Sequence, residues 1–152
     1  MESSQPRSMQ FFFYGTLLDG SDNPVARGIH ALLELLGPAQ VCGHLHAIPD
    51  EQGWFPALLP GQGQVLGKAY RPRAHFGAAD LARMDAYEDF DSADPAASLY
   101  VRQPLPLAGG GEAQVYVWNR SLPAGSQPIP GGDFRAWLQA QGFEQFRGLR
   151  EA

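Results

Sequence analysis

The pattern of hydrophobic and polar positions predicts helices and strands that alternate irregularly along the chain. The uninterrupted apolar run at 11–14 (FFFY) is typical of a strand that is covered on both faces. From Val25 to Leu36 the apolar residues follow helical spacing, and Gly37-Pro38 predicts the end of that helix. Helical spacing returns over Ala78–Tyr87. We therefore expect a strand and a helix near the start and another helix in the middle.

The segments between these helices predict strands. Ala39–Ile48 has β-like composition. Trp54–Leu59 contains Pro56, which predicts an edge strand or an irregular segment. Gly61-Gln62-Gly63 predicts a turn that leads into a further strand over Gln64–Tyr70.

The last third of the chain predicts a hairpin followed by a helix. Leu99–Leu107 and Glu112–Trp118 alternate in polarity, and the glycines at 109–111 join them. Asp133 is a predicted N-cap for a helix over Phe134–Gln141. Because the elements show no regular βαβ repeat, we expect an α+β fold around a curved or barrel-like sheet.

Length and composition predict one globular domain. The chain has 152 residues, 44% of them hydrophobic, which is enough to bury a core and excludes wholesale disorder. We expect residues 1–9 to form a mobile N-terminal tail, 10–147 a single domain and 148–152 a C-terminal tail.

Charge and cysteine content limit the expected partners. The net charge is -5 and no cluster of Lys and Arg is present, which argues against nucleic-acid binding. No apolar stretch approaches the length of a membrane span, and the N-terminus lacks the apolar core of a signal peptide. The single cysteine, Cys42, excludes an internal disulfide framework and agrees with a reduced compartment. We therefore expect a cytoplasmic protein without nucleic-acid or membrane partners; the sequence does not indicate an oligomeric state.

Three polar features of the central strands are not expected to form a catalytic, metal or cofactor site. His44 and His46 share a strand face and could ligate zinc, but no third ligand lies at a suitable spacing, so we expect no metal. Cys42, in the same strand, is expected to be a buried small residue and not a nucleophile. Gly61-Gln62-Gly63 precedes a strand and does not open a helix, so it is no dinucleotide fingerprint. We expect no cofactor.

Tyr14-Gly15-Thr16-Leu17 is a stronger candidate site. Here a buried strand runs into a glycine, a hydroxyl residue and a short loop before a helix. Such a loop can direct successive backbone N–H groups at one point and so bind an anion or an oxyanion. A tight turn selected only for its backbone geometry is the simpler interpretation of the same residues.

Glu88 is the second candidate, at the predicted C-terminal end of the Ala78–Tyr87 helix. The negative end of the helix dipole and the nearby Asp85, Asp89 and Asp91 would raise the pKa of its carboxyl. A carboxyl of this kind can accept and return a proton near neutral pH. The alternative is an ordinary solvated acidic helix end.

Taken together, these residues resemble the γ-glutamylcyclotransferase-like superfamily, and specifically its AIG2-like branch. The similarity runs in family order over roughly 11–138 and departs from the usual pattern at Met84, where leucine is common, and at a polar insert over 91–95. The matching segments are Phe13–Leu17, Phe55–Leu58 with Pro60-Gly61, Val65–Tyr70, Met84–Glu88, Tyr100–Arg102, the strand ending at Trp118 and Ile129–Phe134.

The resemblance implies a small mixed β-barrel flanked by helices and a cavity for a γ-glutamyl substrate. The loop of Tyr14, Gly15, Thr16 and Leu17 would bind the α-amino and α-carboxylate end of that substrate, and Glu88 would be the general acid/base. The implied reaction closes the glutamyl chain to 5-oxoproline and releases an amine, without a metal or a cofactor.

Several choices remain open at this level. Tyr14 and Tyr100 either supply hydroxyls to the pocket or only pack, and Arg102 is expected to form a structural ion pair with Glu88 or Asp85. The leaving group is either an amino acid or an amine. A non-catalytic binding module on the same fold is the alternative function, because a fold does not dictate an activity.

We expect Gly15→Ala to reduce activity more than stability, because a side chain there would crowd both the turn and a bound ligand. Thermal melts with and without a γ-glutamyl ligand test this prediction. A large loss of Tm with normal stabilisation by the ligand would show that the glycine is only structural.

Overall fold

The computed structural model describes residues 9–14, 24–51 and 53–143. Short elements alternate with two long strands along these segments, and a single 3₁₀ turn lies at Pro95–Ala97. The elements are β1 Phe11–Phe13, α1 Pro24–His30, β2 Leu33–Asp50, β3 Gly53–Pro72, α2 Ala78–Tyr87, β4 Tyr100–Pro106, β5 Glu112–Trp118, β6 Gln127–Pro128 and α3 Phe134–Gln141.

These strands form one mixed sheet in the order β4-β5-β1-β3-β2-β6. Strand β1 runs parallel to β5 and antiparallel to β3, and the other pairs are antiparallel. The sheet curls until Leu107, just after β4, forms a bridge with Val41 of β2. The Ala108 N–H then donates to the Gln40 carbonyl at 2.9 Å. The expected α+β class and barrel-like mixed sheet, flanked by helices, are confirmed.

Strand β1 lies at the centre of the sheet and is covered on both faces. Phe11, Phe12 and Phe13 are 0%, 0% and 3% exposed. Phe11 and Phe13 belong to one hydrophobic cluster, which includes residues of α1 and α2, whereas Phe12 belongs to a second cluster with residues of α3. The uninterrupted apolar run therefore reflects burial on two sides, as expected.

The second half of the chain follows the sequence pattern closely. Helix α2, strand β5 and helix α3 begin and end at the predicted residues. The Asp133 carboxylate accepts a hydrogen bond from the Ala136 N–H at 3.0 Å, which is the expected N-cap. The β4–β5 hairpin is also confirmed, with Tyr100 opposite Trp118. In the segments that the structure describes, no helix is long and apolar enough to cross a membrane.

The predicted helix over Val25–Leu36 is wrong in its second half. Helix α1 ends at His30, and Leu33 already begins β2, where it lies opposite Pro72. Pairing with β3 gives Leu33–Leu35 backbone partners and buries the Leu33 side chain, with a register shift between Leu35 and Gly37, so tertiary contacts override the local helical spacing. Leu36, which the helical pattern placed on its apolar face, is 43% exposed.

The predicted turn at Gly61-Gln62-Gly63 is also wrong, because the chain continues through it within β3. Between the pairs Cys42↔Gln64 and His44↔Leu59, β3 carries extra residues opposite Gly43, which makes an irregularity in the ladder. A Cβ at Gly61 would meet the exposed His44 side chain, and a Cβ at Gly63 would lie 2.9 Å from the Gly43 carbonyl oxygen, so the two strands approach closely here. Glycine marks a close approach and not a chain reversal.

Trp54–Leu59 is a regular part of β3 that pairs with β2 on one side, whereas β1 pairs only with residues 68–70, so among the described strands the expectation of an edge segment is confirmed. Pro56 lies opposite Ala47 of β2, but its carbonyl accepts a hydrogen bond from the Tyr100 hydroxyl. Because the N and C=O of one strand residue point to the same side, the missing N–H of Pro56 costs no bond to β2.

Cys42 is exposed, so the expectation that it is buried is wrong. Its strand neighbours Val41 and Gly43 are buried, and alternation along β2 places the thiol on the opposite, solvent-facing side.

The expected tails and the Gly15–Leu17 loop lie outside the described residues, except for Met9. Met9 packs against the cluster of Phe11 and Phe13.

Substitution of Gly67 by alanine is expected to destabilise the fold by about 1–3 kcal/mol, since a Cβ there would lie 2.2 Å from the Phe13 carbonyl oxygen. The central strand would have to move away from β3. Chemical denaturation of Gly67→Ala measures the loss. In Gly28→Ala, the control, the new Cβ meets nothing within 4 Å, so stability should be unchanged or higher. An equal effect of both substitutions would contradict the prediction.

Candidate active site

Glu88 closes helix α2 and is buried, with 6% of its surface exposed. The Asp89 N–H donates to the Ala86 carbonyl at 3.0 Å, and the Phe90 N–H donates to the Asp85 carbonyl at 2.8 Å. Asp89 has a φ of 59°, so the chain turns through the left-handed region directly after Glu88. These bonds make a Schellman-type helix end, which fixes the backbone from which the Glu88 side chain projects.

The sequence of α2 explains why this end of the helix faces the protein. At its start, the Gly77 N–H donates to the Asp80 carboxylate at 2.9 Å, which caps the first turn. Met84 and Tyr87 are 0% and 7% exposed and pack in the cluster of Phe11 and Phe13. The last turn is therefore held against the sheet, and both of its acidic residues, Asp85 and Glu88, become buried.

Asp85 is bonded to both strands of the β4–β5 hairpin. Its Oδ1 accepts from Nε of Arg102 at 2.8 Å and from the Tyr116 hydroxyl at 2.7 Å, and its Oδ2 accepts from Nη2 of Arg102 at 3.3 Å. Arg102 also donates from Nη1 to Oε1 of Gln114 at 2.7 Å. The Arg102 guanidinium lies 5.9 Å from the Phe90 ring centroid. The ion pair expected for Arg102 is confirmed, with Asp85 as its partner.

Tyr116 lies within the electrostatic reach of both carboxyls. Burial raises its pKa well above the usual value, and so do the charge of Asp85, the hydrogen bond to Asp85 and the charge of Glu88, in that order. Arg102 lowers the pKa, but less strongly. The Tyr116 hydroxyl therefore stays protonated and donates a hydrogen bond to Asp85. The charge of Glu88 is near enough to raise the pKa of this hydroxyl.

Tyr14 fixes the point at which the candidate loop begins. Its hydroxyl donates to the Tyr116 carbonyl at 2.5 Å, and the residue is 6% exposed. This bond joins the chain just after β1 to Tyr116 of β5, the residue whose own side chain donates to Asp85. Gly15, Thr16 and Leu17 lie outside the described residues, so their role stays a prediction.

Tyr100 is buried in an aromatic environment, with 3% of its surface exposed. Its hydroxyl donates to the Pro56 carbonyl at 2.6 Å, and its ring centroid lies 5.2 Å from that of Trp118. The expected contribution of Tyr100 to substrate binding remains a prediction.

Tyr116 and Gln114 were not predicted as site residues, although the hairpin pattern contains the necessary signal. Ala113, Val115 and Val117 share one face, so Gln114 and Tyr116 must share the other. Arg102 lies directly opposite Tyr116 in the ladder. An arginine on this face that is expected to pair with a carboxylate therefore predicts polar partners at both positions.

The polar insert over 91–95 is bonded to the end of the β4–β5 hairpin. The Asn119 side-chain amide donates to the carbonyls of Pro95 and Ser98 at 3.0 and 2.9 Å. The Ser98 hydroxyl accepts from the Asp91 N–H at 2.8 Å. Whether the insert shapes the mouth of a pocket stays a prediction.

The histidine pair lies on β2. His44 is exposed, whereas His46 is partly buried, and burial followed by the charge of His44 lowers the pKa of His46. Among the residues that the structure describes, no three His, Cys, Asp or Glu side chains are placed to hold a metal ion.

The chain is similar to several solved structures. It is 27% identical to protein YtfP from Escherichia coli, over 83% of this chain and 96% of that one, with a TM-score of 0.54. It is 25% identical to an AIG2-like protein from Mus musculus, over 77% and 80% of the two chains, with a TM-score of 0.53. The uncharacterized protein PH0828 from Pyrococcus horikoshii shares the fold, at 16% identity over 89% and 97% of the chains and a TM-score of 0.60.

One family of proteins matches the region that forms the fold. A search of the curated proteins gave no match. The family model described as "Gamma-glutamyl cyclotransferase, AIG2-like" matches residues 11–136, from β1 to the first turn of α3, and so includes Tyr14, Asp85, Glu88 and Arg102. Because this match spans most of the chain, the protein belongs to the AIG2-like γ-glutamyl cyclotransferase family.

Proposed function

We propose that this protein is a cyclotransferase that releases 5-oxoproline from a γ-glutamyl amino acid or a γ-glutamyl amine. Membership of the AIG2-like family supports this class of substrate. The observation that carries the proposal is the Glu88 carboxyl, which is buried at a rigid helix end beside a second carboxyl that has its own cation. Acidic side chains are seldom buried, and buried titratable groups in perturbing surroundings cluster at functional sites, so this placement favours a chemical role.

The proposed reaction is intramolecular. The substrate's α-amine attacks its own γ-carbonyl, a C–N bond closes the five-membered ring, and the bond from that carbonyl to the leaving nitrogen breaks. The products are 5-oxoproline and the free amine. Because nucleophile and electrophile are already tethered, the protein mainly has to hold the correct rotamers, which can contribute up to about 7–11 kcal/mol.

Glu88 is the proposed general acid/base. At neutral pH the α-amine is mostly an ammonium ion and cannot attack, so its proton must be removed. Glu88 accepts that proton and then donates one to the leaving nitrogen, which regenerates the carboxylate. A positioned group of this kind contributes a rate factor of about 10²–10⁴.

The loop after β1 is the proposed site for the substrate's polar atoms. Backbone N–H groups of Gly15, Thr16 and Leu17 would hold the α-carboxylate or the developing oxyanion. The hydrogen bond from Tyr14 to the Tyr116 carbonyl supports this assignment, because it anchors the start of the loop to the strand that faces Asp85 and Glu88.

Tyr14 and Tyr100 have restricted hydrogen-bonding capacity at such a site. Each hydroxyl already donates its one proton to a backbone carbonyl, at Tyr116 and at Pro56 respectively. Neither hydroxyl therefore has a proton left to donate to a substrate carboxylate.

We expect Glu88→Gln to remain folded and to bind substrate, while turnover falls by about 10²–10⁴-fold. Glutamine keeps the length of the side chain but holds no transferable proton. Release of 5-oxoproline from a panel of γ-glutamyl amino acids and γ-glutamyl amines measures turnover, and calorimetry measures binding. The matched control is Glu112→Gln, which makes the same chemical change at an exposed position on β5.

Two results would argue against the proposal in different ways. If Glu88→Gln retains most of the wild-type production of 5-oxoproline, Glu88 is not the acid/base. If the wild-type protein binds γ-glutamyl compounds but releases no 5-oxoproline from any of them, the protein is a binding module on this fold.

A further inference from the structure

Two buried carboxyls share the last turn of helix α2. Asp85 and Glu88 are three positions apart, so they lie on neighbouring parts of one helix face, and they are 9% and 6% exposed. Two like charges in a buried place repel each other more strongly than they would in water. The charges and hydrogen-bond donors around each carboxyl therefore determine how easily it carries a negative charge.

The positive charge in this network is bonded to Asp85. Both oxygens of Asp85 accept from Arg102, at 2.8 and 3.3 Å, and the two side chains are only 12% and 13% exposed. The Tyr116 hydroxyl adds a third donor to Asp85 at 2.7 Å. Three donors therefore hold the Asp85 carboxylate in one position.

Tyr116 links this network to the charge of Glu88, which raises the pKa of the Tyr116 hydroxyl. The Tyr116 hydroxyl donates its proton to Asp85 in a hydrogen bond, so its oxygen has only lone pairs for other neighbours. The Arg102 guanidinium is bonded to both oxygens of Asp85 and to Gln114 of β5.

We propose that Asp85 and Arg102 are positioning residues for Glu88: the fixed charge of Asp85 makes Glu88 easier to protonate, and Arg102 limits this effect. The purpose of the arrangement rests on the proposed function, because a carboxyl that must take a proton from an ammonium ion works best when it does so readily. The electrostatic arrangement itself can be tested without substrate.

Other charged and titratable groups near this face of the sheet are the same in every variant that is compared. Lys68 of β3 lies opposite Phe13 in the ladder, and His30 of α1 packs against the Phe13 ring at 5.8 Å. Further titratable groups on this side are Tyr116 on β5, Tyr70 on β3, Tyr87 on α2 and Tyr100 on β4. The hydroxyl of Tyr14, after β1, bonds to the Tyr116 carbonyl, and the Asp89 side chain after α2 is exposed. None of them is altered in the variants below.

The test is the titration of the Glu88 carboxyl carbon by ¹³C NMR, with its signal assigned by its loss in Glu88→Gln. Asp85→Asn removes the negative charge and leaves Arg102, so the midpoint should fall by about one pH unit. Arg102→Met removes the positive charge and leaves Asp85, so the midpoint should rise by about the same amount. Arg102→Gln, which keeps hydrogen-bond donors, replaces it if the methionine variant does not fold.

Two controls separate charge from damage to the structure. The double variant Asp85→Asn/Arg102→Met removes both charges, so its midpoint should lie between those of the two single variants. Arg71→Met breaks an exposed pair of similar length, Arg71 Nε to Glu34 Oε1 at 2.9 Å, on β3 and β2. It should leave the titration of Glu88 unchanged.

Opposite shifts in the two single variants would support the proposal, and shifts in the same direction, or none, would overturn it. The acid limb of the kcat/KM profile for 5-oxoproline release should move in the same directions as the NMR midpoints. Opposite NMR shifts without any 5-oxoproline would retain this inference and reject the proposed function. Production of 5-oxoproline without opposite shifts would support the proposed function and overturn this inference.

Discussion

The buried ion pair between Asp85 and Arg102 is the interaction on which the candidate site depends. It joins the last turn of α2 to β4, and the Tyr116 hydroxyl extends it to β5. Breaking one partner of such a pair leaves an uncompensated buried charge, which is strongly destabilising. Because Glu88 follows Asp85 by three residues on the same rigid helix end, its position is a consequence of this pair.

The central strand provides the second constraint. Strand β1 is covered on both faces and is held between β3 and β5, so the position of Tyr14 directly after it is fixed. The Tyr14 hydroxyl then bonds to the carbonyl of Tyr116, the residue whose own hydroxyl reaches Asp85. The start of the candidate loop and the end of α2 are thus tied to one residue of β5. This shared anchor supports the proposal that loop and carboxyl act on one substrate.

Local sequence signals predicted the elements that have clear ends. Helix α2, and with it the position of Glu88, follows from helical spacing alone, and α3 follows from the Asp133 cap. The segment after His30 was mistaken for helix because its leucines fit helical spacing, whereas its actual conformation depends on pairing with a distant part of the chain. Tyr116 was missed for a similar reason, since its partner Asp85 is distant in sequence and belongs to a different kind of element.

The central claim is that the γ-glutamyl bond is broken by the substrate's own α-amine. Turnover of a γ-glutamyl compound in ¹⁸O-labelled water, followed by mass spectrometry of the product, tests this claim most directly. Intramolecular attack predicts 5-oxoproline without ¹⁸O, released in equal amount to the amine, because water is not a reactant. Formation of glutamate with ¹⁸O in its γ-carboxylate would show that water is the nucleophile and would contradict the account.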